Sequence, residues 1–392
     1  MSSMYEKLGI DPSKQSVRDI FERLIDNEYP GAFVNVITDP FCKYRVLTQH
    51  QDGDGSKFIQ RMVHYLENGD ETVFAGMADD ALSMNSGDIA ASGFVFGPWV
   101  ITDVLNLNLP PELKKVVMKA VAVRLLELRE IYKEHDFNLK FLGGETADLP
   151  DQVRSGVFDI AITAWADKSD LITGNVDSGD IIFGFASDGQ ATWEQAQNSG
   201  IMSNGLTLAR SCLMSKEYNE KYPYLKRDGD FYTGRFNYDD CPEVLDGISV
   251  GEALLSPTRQ WAIVIKTLIS ILKEKNALHM LHGISMNTGG GVTKISHVGS
   301  GGLIYLKNMP TPPPFFLLIK KESRESWKNM YRSFNCGIGI DVVGENDELF
   351  RHAVVATSEI CNVNSYHLGG VLKGSGESNQ VRISTPFGDF CY

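Results

Sequence analysis

The stretch Leu139-Lys140-Phe141-Leu142-Gly143-Gly144-Glu145-Thr146 decides the fold. Its first four residues have the length and apolar character of a strand. The two glycines and the carboxylate after them are a pattern that α/β proteins use at a strand end to meet a metal or a nucleotide. Upstream, residues 110–134 read as a long amphipathic helix. Pro110 and Pro111 suit its first turn, and Leu113, Val116, Val117, Ala120, Leu125 and Leu128 form its apolar stripe. Residues 72–91 read as another helix and residues 157–165 as a partly alternating strand. The turn cluster Asp177-Ser178-Gly179-Asp180 closes this half, and residues 181–186 open the next as a buried strand.

Beyond that turn the mixture begins again. Residues 256–275 read as a helix with Ser256 as N-cap, Pro257 in the first position and a stripe of Trp261, Val264, Ile265, Leu268, Ile269 and Leu272. Residues 284–286 end a short strand, 311–314 form a Pro-rich connector, 336–343 a strand, 347–361 a helix, and 381–392 a strand and a turn. The expected fold is α+β with two domains, residues 1–176 and 177–392. The length of 392 residues suits two cores.

The formal net charge of −13 argues against a nucleic-acid groove or an anionic membrane as the main partner. No apolar run reaches the ~18 residues a membrane span needs. Residues 1–11 are polar and lack a signal core, so secretion is not expected. Six scattered cysteines without a C-x-x-C pair point to a reducing cytoplasm rather than to zinc or disulfides. The eight histidines form no H-x-x-x-H pair.

Six short segments can carry chemistry. In Asp52-Gly53-Asp54-Gly55-Ser56-Lys57 the glycines let the backbone approach a ligand, the carboxylates can hold a cation, and Lys57 can meet a phosphate. The run is neither a P-loop nor an EF-hand, whose sixth and twelfth positions would here be Lys57 and Val63. Asp79 and Asp80 form an adjacent pair, and Asp80, Met84 and Asp88 share one helix face; a magnesium ion would turn their repulsion into attraction. Gly143-Gly144-Glu145-Thr146 is the third segment. Ser203-Asn204-Gly205 precedes a helix over 206–214, with Ser203 or Asn204 as N-cap and Arg210 inside. Ser256-Pro257-Thr258-Arg259 repeats this logic, with Arg259 able to fork onto a phosphate. Thr288-Gly289-Gly290-Gly291 opens a helix through His297. Any one of these is equally well a turn or a cap. Six of one chemistry, spread over both halves, are harder to dismiss.

In order, the chain shows D-G-D-G-S-K (52–57), D-D-A-L (79–82), G-D-I (87–89), G-G-E-T-A (143–147), S-N-G-L-T-L-A-R (203–210), S-P-T-R (256–259), T-G-G-G (288–291) and F-N-C-G-I-G (334–339). This set resembles the phosphoribosylformylglycinamidine cyclo-ligase family, also called aminoimidazole ribonucleotide synthetase. The resemblance implies an N-terminal sheet at a homodimer interface and a C-terminal α/β domain. It implies ATP-dependent closure of formylglycinamidine ribonucleotide, a small purine-pathway molecule, to aminoimidazole ribonucleotide in the cytoplasm. Phosphorylation of the amide oxygen makes it a leaving group, so positioning and charge neutralisation dominate. ATP and Mg2+ are the implied cofactors, with K+ as a third candidate. Carried over by motif, Asp52, Lys57, Asn204 and Thr288 are catalytic. ATP falls to Gly53, Asp54, Gly55, Ser56, Lys57, Asp79, Gly143, Gly144 and Thr146. Ser203, Asn204, Thr258, Arg259, Gly289 and Gly290 line the substrate, and Asp80, Asp88 and Glu145 hold the metal.

The chain also departs from this pattern. Many members carry a histidine just before S-N-G and another two positions before T-G-G, where this sequence has Met202 and Met286. The family's N-D is Gly87-Asp88 here, and its G-T-K threonine is Ser56. His282 is a candidate replacement base, and residues 214–246 do not align. Two rival readings stay open. One is another ATP-using member of the superfamily, such as a thiamine-phosphate kinase, a selenophosphate synthetase or a hydrogenase-maturation protein. The other is a non-catalytic nucleotide-binding paralogue, which the two methionines support.

Overall fold

Strict alternation along residues 156–167 sets up the first sheet, because every even-numbered side chain there is buried. The computed structural model describes residues 4–9, 20–21, 24–226 and 229–392; part of the 1–11 stretch read as lacking a signal core lies outside them. Strands β1 (Ile37–Thr38), β2 (Arg45–Gly53), β3 (Pro98–Leu107), β4 (Asn138–Asp148) and β5 (Gly156–Asp167) run in the order β1-β2-β5-β3-β4. All pairings are antiparallel except β3 with β4. Helices α1 (Lys57–Asn68), α2 (Gly76–Ala90) and α3 (Pro111–Glu134) belong to this half. Helix α2 lies on the buried face of β2 and β5 and is buried almost throughout. The opposite face, with Leu47, Val100, Val104, Val157 and Trp165, stays partly exposed.

The second sheet runs β14-β13-β10-β12-β6-β11-β9. Its strands are β6 (Ile181–Ala186), β9 (Leu281–Met286), β10 (Leu303–Asn308), β11 (Ile338–Gly344), β12 (Ser365–Lys373), β13 (Gln380–Thr385) and β14 (Gly388–Cys391), while β7 (Asp188–Gly189) and β8 (Asn198–Ser199) form a separate ribbon. Every residue of β6 is buried, as its continuous apolar run requires. Helices α4 (Leu206–Leu213), α5 (Val250–Leu255) and α6 (Trp261–Glu274) follow β8. The apolar stripe of α6 is wholly buried, and α6 packs on α2, so the two halves meet helix to helix. This is the α+β arrangement expected. Among the described residues no helix is long and apolar enough to cross a membrane.

Several boundaries differ from the sequence reading. Residues 72–91 split into a 3-10 turn, Glu71–Ala75, capped by Asp70, and then α2. Strand β4 does not stop at Leu142. It runs through Gly143-Gly144-Glu145-Thr146 with a bulge against β3, since parallel pairing satisfies the backbone beyond the glycines. Ser256 does not cap α6. A capping box of Ser249 and Glu252 starts α5 upstream, Ser256 ends it, and Ser256-Pro257-Thr258-Arg259-Gln260 is the loop before α6. Ser203 and Asn204 do not cap α4 either, because left-handed Gly205 occupies that position.

His282, on β9, clips the second sheet. Its Nδ1 lies 2.7 Å from Asp180 Oδ2, just before β6, and its Nε2 lies 3.8 Å from Glu345 Oε1, just after β11. The hydrogen bond to Asp180 raises its pKa above 6.5 in the folded chain. Its stabilisation is therefore complete below the unfolded value of ~6.5 and is lost as pH rises through the folded value. Denaturant unfolding across that window should show this fall in wild type, and His282→Gln should flatten it; an equal slope in both would refute the clip.

Candidate functional site

Lys57 and Arg61 stand one turn apart on α1, and Asp80 faces them from α2. The Asp80 carboxylate is fully buried. Its Oδ1 accepts from Lys57 Nζ at 2.8 Å, from Thr258 N at 2.8 Å and from Thr258 Oγ1 at 2.7 Å, while Oδ2 accepts from Arg61. Lys57 also donates to Ser256 O at 2.6 Å. Burial alone would raise the Asp80 pKa, but Lys57 and Arg61 outweigh it and hold the carboxyl below its usual range. Close by, burial pushes the Asp54 carboxyl up to about 8, so it carries little charge at neutral pH. Two cations thus face one carboxylate beneath the Gly53–Ser56 turn. Gly53 is required there, since a Cβ would lie 2.5 Å from Phe158 O and 2.0 Å from Asp159 Oδ1.

A second cluster lies further along α2. Asp88 Oδ2 is 3.4 Å from both His50 Nε2 and Lys294 Nζ. Lys294 also donates to Thr288 Oγ1 at 2.6 Å, and His50 Nδ1 lies 3.0 Å from Asn85 Oδ1. Asn85 holds the Asp52 carbonyl at 2.9 Å. Asp88 Oδ1 is buried without a hydrogen-bond partner among the described residues. A Cβ at Gly87 would lie 2.5 Å from Met286 Cε, so the thioether fills the space that an asparagine side chain would need.

A third set joins the Ser56 turn to α4. Ser56 Oγ lies 3.1 Å from Thr207 Oγ1, and Arg210 donates to Ser56 O at 2.9 Å. Arg210 Nε, Ser203 Oγ and Asn204 Oδ1 are buried without partners among the described residues. Such orphaned groups call for an explanation, and a ligand is one. Asn204 Nδ2 is used on Ser333 O at 2.9 Å.

Three of the four N-terminal motifs are therefore tied to a C-terminal one: D-D-A-L to S-P-T-R through Asp80 and Thr258, G-D-I to T-G-G-G through Asp88, Lys294 and Thr288, and D-G-D-G-S-K to S-N-G-L-T-L-A-R through Ser56. Several residues expected to meet ligands are engaged within the chain. Lys57 is fully buried against Asp80 and Ser256 and does not present its ammonium to a phosphate. Arg259 is no phosphate fork either; it forks onto Glu194 and meets the carbonyls of Ala186, Asp188 and Gly189. Asp79 is paired through both oxygens with Arg124 on α3. Thr258 is committed to Asp80.

The three carboxylates expected to hold a metal lie apart in the fold. Asp80 is saturated, and Asp88 is met by Lys294 and His50. Glu145 sits in register with Val104, which pairs with Asp159, on the sheet face turned away from α2. Gly143, Gly144 and Thr146 lie with it on the exposed edge strand β4. Among the described residues no group of three or more His, Cys, Asp or Glu could hold a metal. Met202 and Met286 are buried. His282 cannot replace a base at position 286, because it lies at the other end of β9, about 13 Å away at ~3.3 Å per residue.

No motif announces Arg61, His50 or Lys294. The first two had readable spacing: Arg61 is four residues after Lys57 on a helix, and His50 is two before Asp52 on a strand. Lys294 lies in the 3-10 segment Gly291–His297, where no such period applies.

No protein-family model matches the chain. The phosphoribosylformylglycinamidine cyclo-ligase of Methanocaldococcus jannaschii is 28% identical over 326 residues, 82% of this chain and 77% of that protein. The protein of that name from Lactobacillus acidophilus is 30% identical over 305 residues, 76% of this chain and 73% of that one. Among solved structures, hydrogenase maturation protein HypE in complex with ATP aligns with a TM-score of 0.53 at 13% identity, covering 98% of this chain and 94% of that one. T. maritima PurL complexed with FGAR aligns at 0.53 and 11% identity, over 95% of this chain and 48% of that one. These structures share the fold.

Asp80→Asn should remove the charge that compensates Lys57 and Arg61 and so lower the unfolding free energy by about 3–5 kcal/mol. A urea midpoint equal to that of wild type would refute the structural role assigned to Asp80.

Proposed function

The chain belongs to the phosphoribosylformylglycinamidine cyclo-ligase family, and from that premise we propose that it is a ligase that uses ATP to close formylglycinamidine ribonucleotide to aminoimidazole ribonucleotide in purine biosynthesis. The observation that supports this most directly is the pairing of motifs across the two halves through Asp80–Thr258, Asp88–Lys294–Thr288 and Ser56–Thr207. A reaction that must hold two ligands in line needs such a fixed seam.

ATP supplies the phosphoryl group that makes the amide oxygen a leaving group. On this reading residues 1–176 form the nucleotide-side half and 177–392 the substrate-side half. The turn at Asp52, Gly53, Gly55 and Ser56 takes the nucleotide, favoured by the two cations buried beneath it. Ser203 Oγ and Arg210 Nε offer unpartnered donors to an anionic group of the substrate, and Asn204 Oδ1 offers an acceptor to one of its N–H or O–H groups. Lys57, Asp79, Asp80, Thr258 and Arg259 position those segments. Because the three carboxylates expected to bind Mg2+ are not together, no step is assigned to a protein-held metal. The six free cysteines suit a reducing cytoplasm.

A homodimer belongs to the same reading. The uncovered face of the first sheet carries Leu47, Val100, Val104, Val157 and Trp165, apolar side chains that a second copy would cover.

Purified protein given formylglycinamidine ribonucleotide, ATP, Mg2+ and K+ should form aminoimidazole ribonucleotide. Nucleotide binding without product would replace this reading with that of a non-catalytic paralogue, which Met202 and Met286 favour. Sedimentation should give a dimer that Trp165→Glu converts to monomer; a wild-type monomer would refute the dimer.

A further inference from the structure

Lys294 is a partly buried charge held by its neighbours rather than a free surface one. Its side chain is 21% exposed and sits at the junction of three elements. One contact, to Thr288 Oγ1 at 2.6 Å, ties it to the glycine turn. Another, to Asp88 Oδ2 at 3.4 Å, ties it to α2, and the Phe33 ring lies beneath it with its centroid 4.7 Å from Nζ. An ammonium has three protons. Thr288 and Asp88 direct two of them, which leaves the third for solvent or a ligand. The resemblance assigned Asp88 to a metal, yet the carboxylate already faces a cation supplied by the chain. Asp88 Oδ1, buried and unpartnered among the described residues, is an acceptor, so it calls for a donor such as a ligand hydroxyl and not for the phosphate itself.

We propose that Lys294 is the phosphate-binding cation of this site, an ammonium held at Asp88 where a metal would otherwise stand. The ligand class is a phosphate oxygen, from a nucleotide or from a ribonucleotide substrate; this identity rests on the cyclo-ligase reading. Asp88 and Thr288 fix the ammonium, and a charge-assisted hydrogen bond to phosphate follows without recruitment of a metal to Asp88. Gly289, which is exposed, and left-handed Gly290 leave the backbone beside it open to a close approach.

The test is calorimetric titration of the full chain with ADP and, separately, with ribose 5-phosphate, each in EDTA and in Mg2+. Wild type should bind at least one of them in EDTA. Lys294→Met should weaken that binding by about tenfold or more, the size of one hydrogen bond to a charged group, and should also lower the thermal midpoint because Asp88 loses a cation, so binding is compared at a temperature where both proteins are folded. Lys294→Arg should recover most of the loss. The assignment falls if Lys294→Met binds both ligands as wild type does, or if wild type binds neither in EDTA. It also falls if Mn2+ alone binds wild type by electron paramagnetic resonance and Asp88→Asn removes that signal. If Lys294→Met does not fold, Lys294→Gln and the wild-type Mn2+ measurement decide by the same criteria. Product formation judges the cyclo-ligase reading separately, so an active enzyme whose phosphate binding ignores Lys294 refutes this assignment alone.

Discussion

An ionised carboxylate removed from water survives only where cations and donors replace its hydration. Asp80 meets that demand with Lys57 and Arg61 from α1 and with the Thr258 backbone and hydroxyl from the loop before α6. Three segments from two halves of the chain must therefore hold one geometry. The consequences spread outward. The Gly53–Ser56 turn joins β2 to α1 and takes its position from Lys57. The Thr258 loop carries Arg259, which binds the ends of β6 and of the ribbon beyond it. Ser83 and Gln260 add hydrogen bonds along the same seam.

Where the sequence was legible, one physical signal dominated. Strand β6 is a continuous apolar run, α6 keeps its stripe, and α3 begins at a proline pair, so each stands close to where it was read. The misread boundaries share a cause. Gly143 and Gly144 look like a strand end, but the neighbouring β3 continues the hydrogen bonding past them. Pro257 looks like a helix start, but the capping box at Ser249 claims the preceding turn for α5. Local signals were read correctly and then overruled by partners distant in the chain.

The candidate site divides in the same way. Its segments could be listed from the sequence, because glycines, carboxylates and cap residues stand out. Their roles could not, because a charge reveals nothing of what it pairs with. Lys57, Asp79, Asp80 and Arg259 read as ligands and turn out to neutralise one another or their neighbours. Lys294 read as nothing and stands between Asp88 and Thr288. Tying motifs together and binding a ligand use the same residue types, and only geometry separates the two.

Gly87 and Met286 constrain each other sterically. The family pattern has an asparagine and a histidine where this chain has a glycine and a methionine. With the buried thioether in place, no side chain at 87 fits without displacing it, since the first carbon would lie 2.5 Å from its methyl. Shrinking position 286 first removes that obstacle. The two positions are therefore coupled: a side chain at 87 and the thioether at 286 compete for one buried volume, so their effects on stability are not additive.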